Sequence, residues 1–324
     1  MKAGKLFEIF VKHILMNIGF MEVNSDGLYV YDAAPGQMIQ GLGEAHNADV
    51  LLEPPVQIPF YTMSRILIEC KDYTKKVGLN VIRSALGLRE DINNFDIVDK
   101  NELTNRRNTR RTNLTYNFIR YHYQVAVASL SGFTIPAQKF AATHRISLIE
   151  FDKMPFWNDF CNYLKNQGGF NDPYGLHLNK DYINININEY NTIQCVTDFA
   201  DNIGKSMALA ITNSGQLLFL YNINKEPIKF GNSYSLYWTD DEKLWQLRTD
   251  NKTYVFQLPQ AIADEWLYNV HSELELRKEA IRCKAQYLSS MVVYYSENSM
   301  PKIKMISIDK YELNEVYKNL KNID

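Results

Sequence analysis

Asp49, Glu69 and Lys71 are the residues whose types and spacing could do chemistry. They lie in His-Asn-Ala-Asp49-Val-Leu-Leu and Ile-Leu-Ile-Glu69-Cys-Lys71. Asp49–Leu52 and Arg65–Lys71 read as strands, joined by a connection that holds Pro54, Pro55 and Pro59. An antiparallel hairpin centred near Pro59 starts the first strand where the second ends, so Asp49 falls opposite Glu69. Lys71 lies two residues beyond Glu69, and both project from one sheet face. Cys70 points to the other face with Ile66 and Ile68. Carboxylates rarely finish unpaired at the edge of a buried face; a divalent metal would compensate them. Phosphodiester hydrolysis needs an attacking hydroxide and stabilisation of charge developing on the phosphate. Mg²⁺ held by hard oxygen ligands supplies both, and Mn²⁺ can substitute. On this reading Asp49, Glu69 and the Cys70 backbone carbonyl are ligands. Lys71 positions or deprotonates the water, helped by the lowered pKa expected of a desolvated lysine beside a metal. The plainer alternatives are a strand-start turn for Asp49 and a surface ion pair for Glu69 and Lys71.

Those side chains need elements to hold them. Phe7, Phe10, Val11, Ile14 and Ile18 recur at helical spacing, which predicts a helix over 5–18 with Gly19 as its stop. Residues 28–31 read as a short strand and Ala33–Asn47 as a loop of glycines and small residues. Val81, Ala85, Leu88, Ile92 and Phe95 predict a helix from Leu79 to Phe95. Residues 100–114 are polar, and Arg106, Arg107, Arg110 and Arg111 fall within six positions there. Clustered guanidiniums neutralise phosphate charge, so these four are candidate nucleic-acid contacts, the alternative being a solvated loop. Arg83, Arg89, His46 and Gln124 are weaker neighbours of the site. Gln124–Leu130 reads as a strand. Thr134 reads as the cap of a helix that has Pro136 in its first turn and runs to His144, and Ile146–Phe151 reads as a strand. Strand, helix, strand implies a parallel pair in a mixed sheet. A short helix near Trp157–Leu164 closes this part.

The stretch from Gln167 to Gly175 is turn chemistry and reads as a linker. Beyond it the texture changes to short alternating strands. Tyr182–Asn188 alternates strictly, Met207–Thr212 and Gln216–Tyr221 flank a hairpin turn at Asn213–Gly215, and Tyr234–Trp238 faces Leu244–Arg248 across a charged turn. A long helix should start near Pro259 with Ile262, Trp266, Val270 and Leu274 on one face. One or two strands and a helix over Lys310–Leu320 follow. The fold class expected is α/β, a mixed sheet flanked by helices over 1–166, then a smaller α+β domain with antiparallel strands over 176–324. Tyr234, Tyr237, Trp238 and Trp245 in that second part read as packing or stacking surfaces.

Composition narrows the function class. The 324 residues carry 35 basic and 37 acidic side chains, which argues against a protein that coats nucleic acid non-specifically. Cys70, Cys161, Cys195 and Cys283 form no paired zinc motif, and they read as reduced thiols of a cytoplasmic protein. The first helix lacks a signal-peptide pattern, and no apolar run approaches the roughly 20 residues a membrane span needs.

With Asp49, Glu69 and Lys71 in that order, the chain resembles the PD-(D/E)xK nucleases, and over about residues 1–152 it resembles their Mrr-type restriction endonuclease branch. The resemblance is carried by three further features. Gly4-Lys-Leu-Phe-Glu8 opens the first helix, and a helix follows the Glu-x-Lys strand. Val125-Ala-Val-Ala-Ser-Leu-Ser-Gly-Phe-Thr134 leads to Ala137, Ala141 and Ile146–Ile149. One departure is Ala48 where the motif has proline. The resemblance implies a restriction-endonuclease-like fold and a metal-dependent endonuclease acting in restriction or anti-phage defence. It implies that Glu8 completes the metal site; the plainer reading of Glu8 pairs it with Lys12. DNA is the first partner implied and RNA the second, with no membrane. A homodimer, or a partner subunit held by the C-terminal part, would supply a second site for a second strand. The competing readings are a subunit inactive until a partner or ligand switches it on, and a non-catalytic nucleic-acid-binding scaffold.

Overall fold

The computed structural model describes residues 4–34, 36–57, 62–95, 120–166, 189–239, 244–250, 252–267 and 270–321. Its first sheet joins β1 (Met21–Glu22), β5 (Val50–Glu53), β6 (Met63–Lys71), β7 (Tyr121–Ser129) and β8 (Ser147–Glu150), in the order β1-β5-β6-β7-β8. β5 runs antiparallel to β6, whereas β6, β7 and β8 are parallel, so the sheet is mixed. In β6, Ile66, Ile68 and Cys70 pack into one core and Leu67 into another. A strand buried on both faces reads as a continuous apolar run, and Ile66-Leu-Ile68 is such a run because helices cover both sides.

On one side lie α2 (Leu79–Asn94) and α3 (Ile135–His144), which bury Ile82, Ala85, Ile92, Ala137 and Ala141 against Leu67, Val125 and Val127. On the other lies α1 (Lys5–Ile18), with α4 (Trp157–Asn166) and α5 (Glu189–Gly204) beside it. Seven α1 residues from Leu6 to Ile18 are buried, each contributing ~2 kcal/mol on transfer from water. Gly19 ends the helix at φ 115, in the left-handed region that suits glycine.

A second sheet of seven antiparallel strands packs on the far side of α1. It contains β9 (Met207–Thr212), β10 (Leu217–Asn222), β11 (Tyr234–Trp238), β12 (Leu244–Thr249), β13 (Lys252–Gln257), β14 (Ser290–Glu297) and β15 (Met300–Ser307), ordered β11-β12-β13-β10-β9-β14-β15. Period-two alternation splits its side chains. Leu209, Leu217, Phe219 and Tyr294 enter the core around α1; Ala208, Leu218, Leu220 and Val293 enter a separate core. α6 (Gln260–Leu267) and α7 (Glu273–Cys283) cover that outer core, and α8 (Lys310–Lys321) follows β15. α1 is therefore buried between two sheets and shared by both.

Several expectations change. Ala33–Asn47 contains two strands, β3 (Gly36–Gln40) and β4 (Ala45–Asn47), which form a three-stranded sheet with β2 (Val30–Ala33). α5 was not expected, although Ile193, Val196, Phe199, Ala200 and Ile203 have helical spacing; nor was β13. The long helix after Pro259 is two helices, because Ser272 accepts the Glu275 N–H and the Glu275 carboxylate accepts the His271 N–H, a start signal that opens a new helix. Thr134 stands at the N-cap of α3, but its side chain does not cap. Gln167–Gly175 and Tyr182–Asn188 lie outside the described residues. Among the described residues, no helix is long and apolar enough to cross a membrane.

Candidate active site

The register of β5 on β6 pairs Val50 with Ile68 and Leu51 with Leu67, which brings Asp49 level with Glu69 as the hairpin argument requires. The side chains then meet. The Lys71 Nζ donates to Glu69 Oε2 at 2.7 Å and lies 3.7 Å from Asp49 Oδ2. Asp49 Oδ2 also accepts the Cys70 N–H at 2.9 Å, which ties the entrance of β5 to the end of β6. All three are mostly enclosed, with side chains 15–20% exposed.

Glu8 reaches the same place from α1. Gly4 precedes that helix at φ 84 and stands beside Asp72, the residue after β6, so the helix N-terminus lies at the C-terminal end of the strand. Helix N-termini favour negative charge. Glu8 bonds Lys5 at 2.8 Å rather than Lys12, which pairs with Glu22. Burial raises the Glu8 carboxyl, Lys5 opposes this, and the charge of Asp49 adds to the rise. Burial likewise raises Glu69, against the pull of Lys71 and with the push of Asp49.

Lys71 is pulled in two directions. Burial lowers its pKa, but the charge and hydrogen bond of Glu69, with the charge of Asp49, outweigh burial and raise it. Without a metal ion, Lys71 is thus ion-paired between two carboxylates. The Cys70 thiol is buried on the opposite face, where desolvation and the nearby carboxylates push it well up, so only its backbone faces the cluster.

Among the described residues, no group of three or more His, Cys, Asp and Glu side chains forms a ready-made metal cage. The donor set still suits a hard cation. It consists of carboxylate oxygens, and Asp49 and Glu69 already converge on one cationic nitrogen.

The other candidates make their contacts elsewhere, although the charge of His46 also lowers Glu69. His46 Nε2 meets Asp91 Oδ2 at 2.7 Å, and Asp91 also accepts the Gly43 N–H, so this pair fastens the small sheet to α2. The His46 hydrogen bond, with that of Gly43, holds the Asp91 carboxyl below its ordinary value. Arg89 bonds the His144 carbonyl at the end of α3 and pairs with Glu90. Arg83 lies over the Phe140 ring. Gln124 is paired with Ile66, far along the strand from Glu69; the β7 residue level with Lys71 is Ser129. Trp245 is fully buried, and Tyr234 bonds the Ser307 backbone. Arg106, Arg107, Arg110 and Arg111 lie outside the described residues.

Sequence reasoning missed the continuation of this row. Lys71, Ser129 and Glu150 are successive register partners across β6, β7 and β8. Burial, with the charge of Asp152, pushes Glu150 up to about 7 despite Lys153 and Lys76. Ser129 stood inside Val-Ala-Val-Ala-Ser, where its level with Lys71 became legible only once the parallel register was known.

No family model and no curated protein matches the chain. Among solved structures, the crystal structure of a protein of unknown function, AF1548, aligns with 62% of this chain and 97% of its own. The identity is 14% and the TM-score 0.31, too low to carry fold or function.

Proposed function

We propose that the chain is a divalent-metal-dependent phosphodiester hydrolase of the PD-(D/E)xK type, with a restriction-endonuclease-like first sheet and DNA as its preferred substrate. The observation that supports this reading is the meeting of Asp49, Glu69 and Lys71, within 3.7 Å, at the end of a mixed sheet. Asp49 and Glu69 would hold Mg²⁺ or Mn²⁺, with Glu8 and the Cys70 carbonyl as further oxygen donors. Once bound, the ion supplies charge stabilisation and an acidified water. The chain's own part is positional. The Cys70 N–H fixes the Asp49 carboxylate, β6 sets Glu69 and Lys71 on one face, and the Lys71 ammonium offsets negative charge on the phosphate. The four arginines of 106–111 would contact flanking phosphates, and restriction or anti-phage defence is the setting that fits.

A second reading, an enzyme silent until a partner or ligand engages its C-terminal part, has its own support. α1 carries Glu8 and is buried against both sheets, which gives a change at the second sheet a packed route toward Glu8.

The test is cleavage of supercoiled plasmid and of single-stranded RNA by the pure full chain, with Mg²⁺ and with EDTA, beside Glu69→Ala. The expected result is Mg²⁺-dependent nicking of plasmid, reduced about 100-fold or more in the variant. Equal cutting by the variant, or cutting that survives EDTA, overturns the reading. Cutting that appears only when a partner or ligand is added selects the second form.

A further inference from the structure

A cavity of about 300 Å³ lies between the two sheets; Ile66 lines it, and Asp49, Glu69 and Lys71 do not. Ile66 of β6 and Ala126 of β7 form one wall; Ile211 of β9 and Val292 of β14 form the other. Protein interiors are close-packed and hold few voids larger than a water molecule. An apolar cavity of about 150 Å³ is already enough to take benzene, and ligand pockets begin near 300 Å³.

The lining decides the chemistry. No Asp, Glu, Lys, Arg or His is among the described residues that line it. A charged molecule entering would lose its hydration and gain no counter-charge, which excludes nucleotides, metal ions and phosphate. The polar residues of the lining are uncharged hydroxyls and amides, among them Ser64, Ser147, Thr212, Ser290 and Tyr294. Tyr294 is 5% exposed and packs its ring on Phe20 with centroids 5.5 Å apart. Its hydroxyl makes no hydrogen bond to a described residue and is not among the fully enclosed polar atoms, so it is open to an occupant. The Gln124 and Asn213 side chains are exposed and mark the opening.

We propose that this cavity binds a small uncharged organic molecule, largely aromatic or hydrocarbon, with one hydrogen-bonding group that meets the Tyr294 hydroxyl. The site stands apart from the chemistry at Asp49 and does not depend on it. Because its walls come from both sheets, an occupant would fasten them together.

The test uses the full chain and two dyes that share a skeleton. N-phenyl-1-naphthylamine is uncharged; 8-anilino-1-naphthalenesulfonate adds a sulfonate. The uncharged dye should bind saturably at one per chain, brighten, and raise the melting temperature, and the sulfonate should bind at least about ten-fold more weakly. Val292→Phe fills the cavity and should weaken the uncharged dye about ten-fold or more. If that variant melts early, Asn213→Trp at the exposed mouth replaces it with the same expectation. Tyr294→Phe keeps the ring on Phe20 and should weaken binding about two- to ten-fold. Absence of saturable binding overturns the proposal. So does equal binding of the sulfonate, which marks surface adsorption, or binding unchanged in a folded cavity-filling or mouth variant.

Discussion

The C-terminal end of β6 and the cavity face of its N-terminal end carry opposite kinds of surface, although the other face of that end buries Arg65 against Glu53 at 2.8 Å. At the C-terminal end Glu69 and Lys71 stand with Asp49 and Glu8, and every group there feels another's charge. At its N-terminal end Ser64 and Ile66 line a cavity with no ionised side chain among its described residues. One strand supports both because different elements cover it. The charged end meets the N-terminus of α1, where partial positive charge and water suit carboxylates. The other end faces β9 and β14 of the second sheet, which offer apolar side chains and the uncharged hydroxyls of Thr212, Ser290 and Tyr294. Charge tolerance along one strand is thus set by what packs across from each residue, not by the strand.

The contrast breaks most easily at Lys71. Lys71→Met removes the cation between two carboxylates, and cleavage should fall about 100- to 10,000-fold. The same variant sharpens the metal question. With the ammonium gone, Mg²⁺ becomes the available partner for Asp49 and Glu69, so Mg²⁺ should raise its melting temperature more than that of the parent. Melts in EDTA and in Mg²⁺ that superimpose for both proteins would make the cluster a structural ion network.

The charged end should also titrate. Glu150, level with Lys71, has its folded-state carboxyl raised to about 7 from an ordinary value of 4.5. A carboxyl raised by folding favours the folded state most below its unfolded pKa, and that advantage is lost as pH rises through the folded value. Stability should therefore decline between about pH 4.5 and 7. Glu150→Gln, neutral throughout, should match the parent near pH 4.5 and exceed it by about 3 kcal/mol at pH 8. Urea titrations at the two pH values measure this; parallel curves would remove Glu150 from the titrating group.

Asp49 has a structural share as well. Asp49→Ala leaves the Cys70 N–H without its acceptor and should lose about 2 kcal/mol of stability, while Asp49→Asn keeps an acceptor and loses less. Both should lose cleavage. Equal stability of the two variants would show that the N–H finds another partner.

How much was legible follows the same division. The charged end could be read because its residues are few, chemically distinct and spaced by strand geometry; Asp49 opposite Glu69 followed from the hairpin alone. Glu8 came from the opening of the helix, and its approach depends on tertiary packing. The cavity could not be read, since Ile66, Ala126, Ile211 and Val292 are ordinary core residues far apart in the chain. At Lys71 burial and the two neighbouring carboxylates act in opposite directions, and their balance without a metal depends on how closely the three side chains meet. β3 and β4 were hidden by glycines, and α5 by the strict alternation of Tyr182–Asn188 just before it, which points to strands.

The smallest effect belongs to the cavity face. Ser147 Oγ accepts the Leu217 N–H at 2.8 Å, a buried bond from β8 of the first sheet to β10 of the second. Ser147→Ala removes the acceptor from a buried donor and should lose about 1 kcal/mol, measured by urea unfolding. Because neither group titrates, the loss should be the same at pH 5 and pH 8. A loss that grows with pH would place a titrating group beside the cavity, and the contrast between the charged end of β6 and its cavity face would no longer hold.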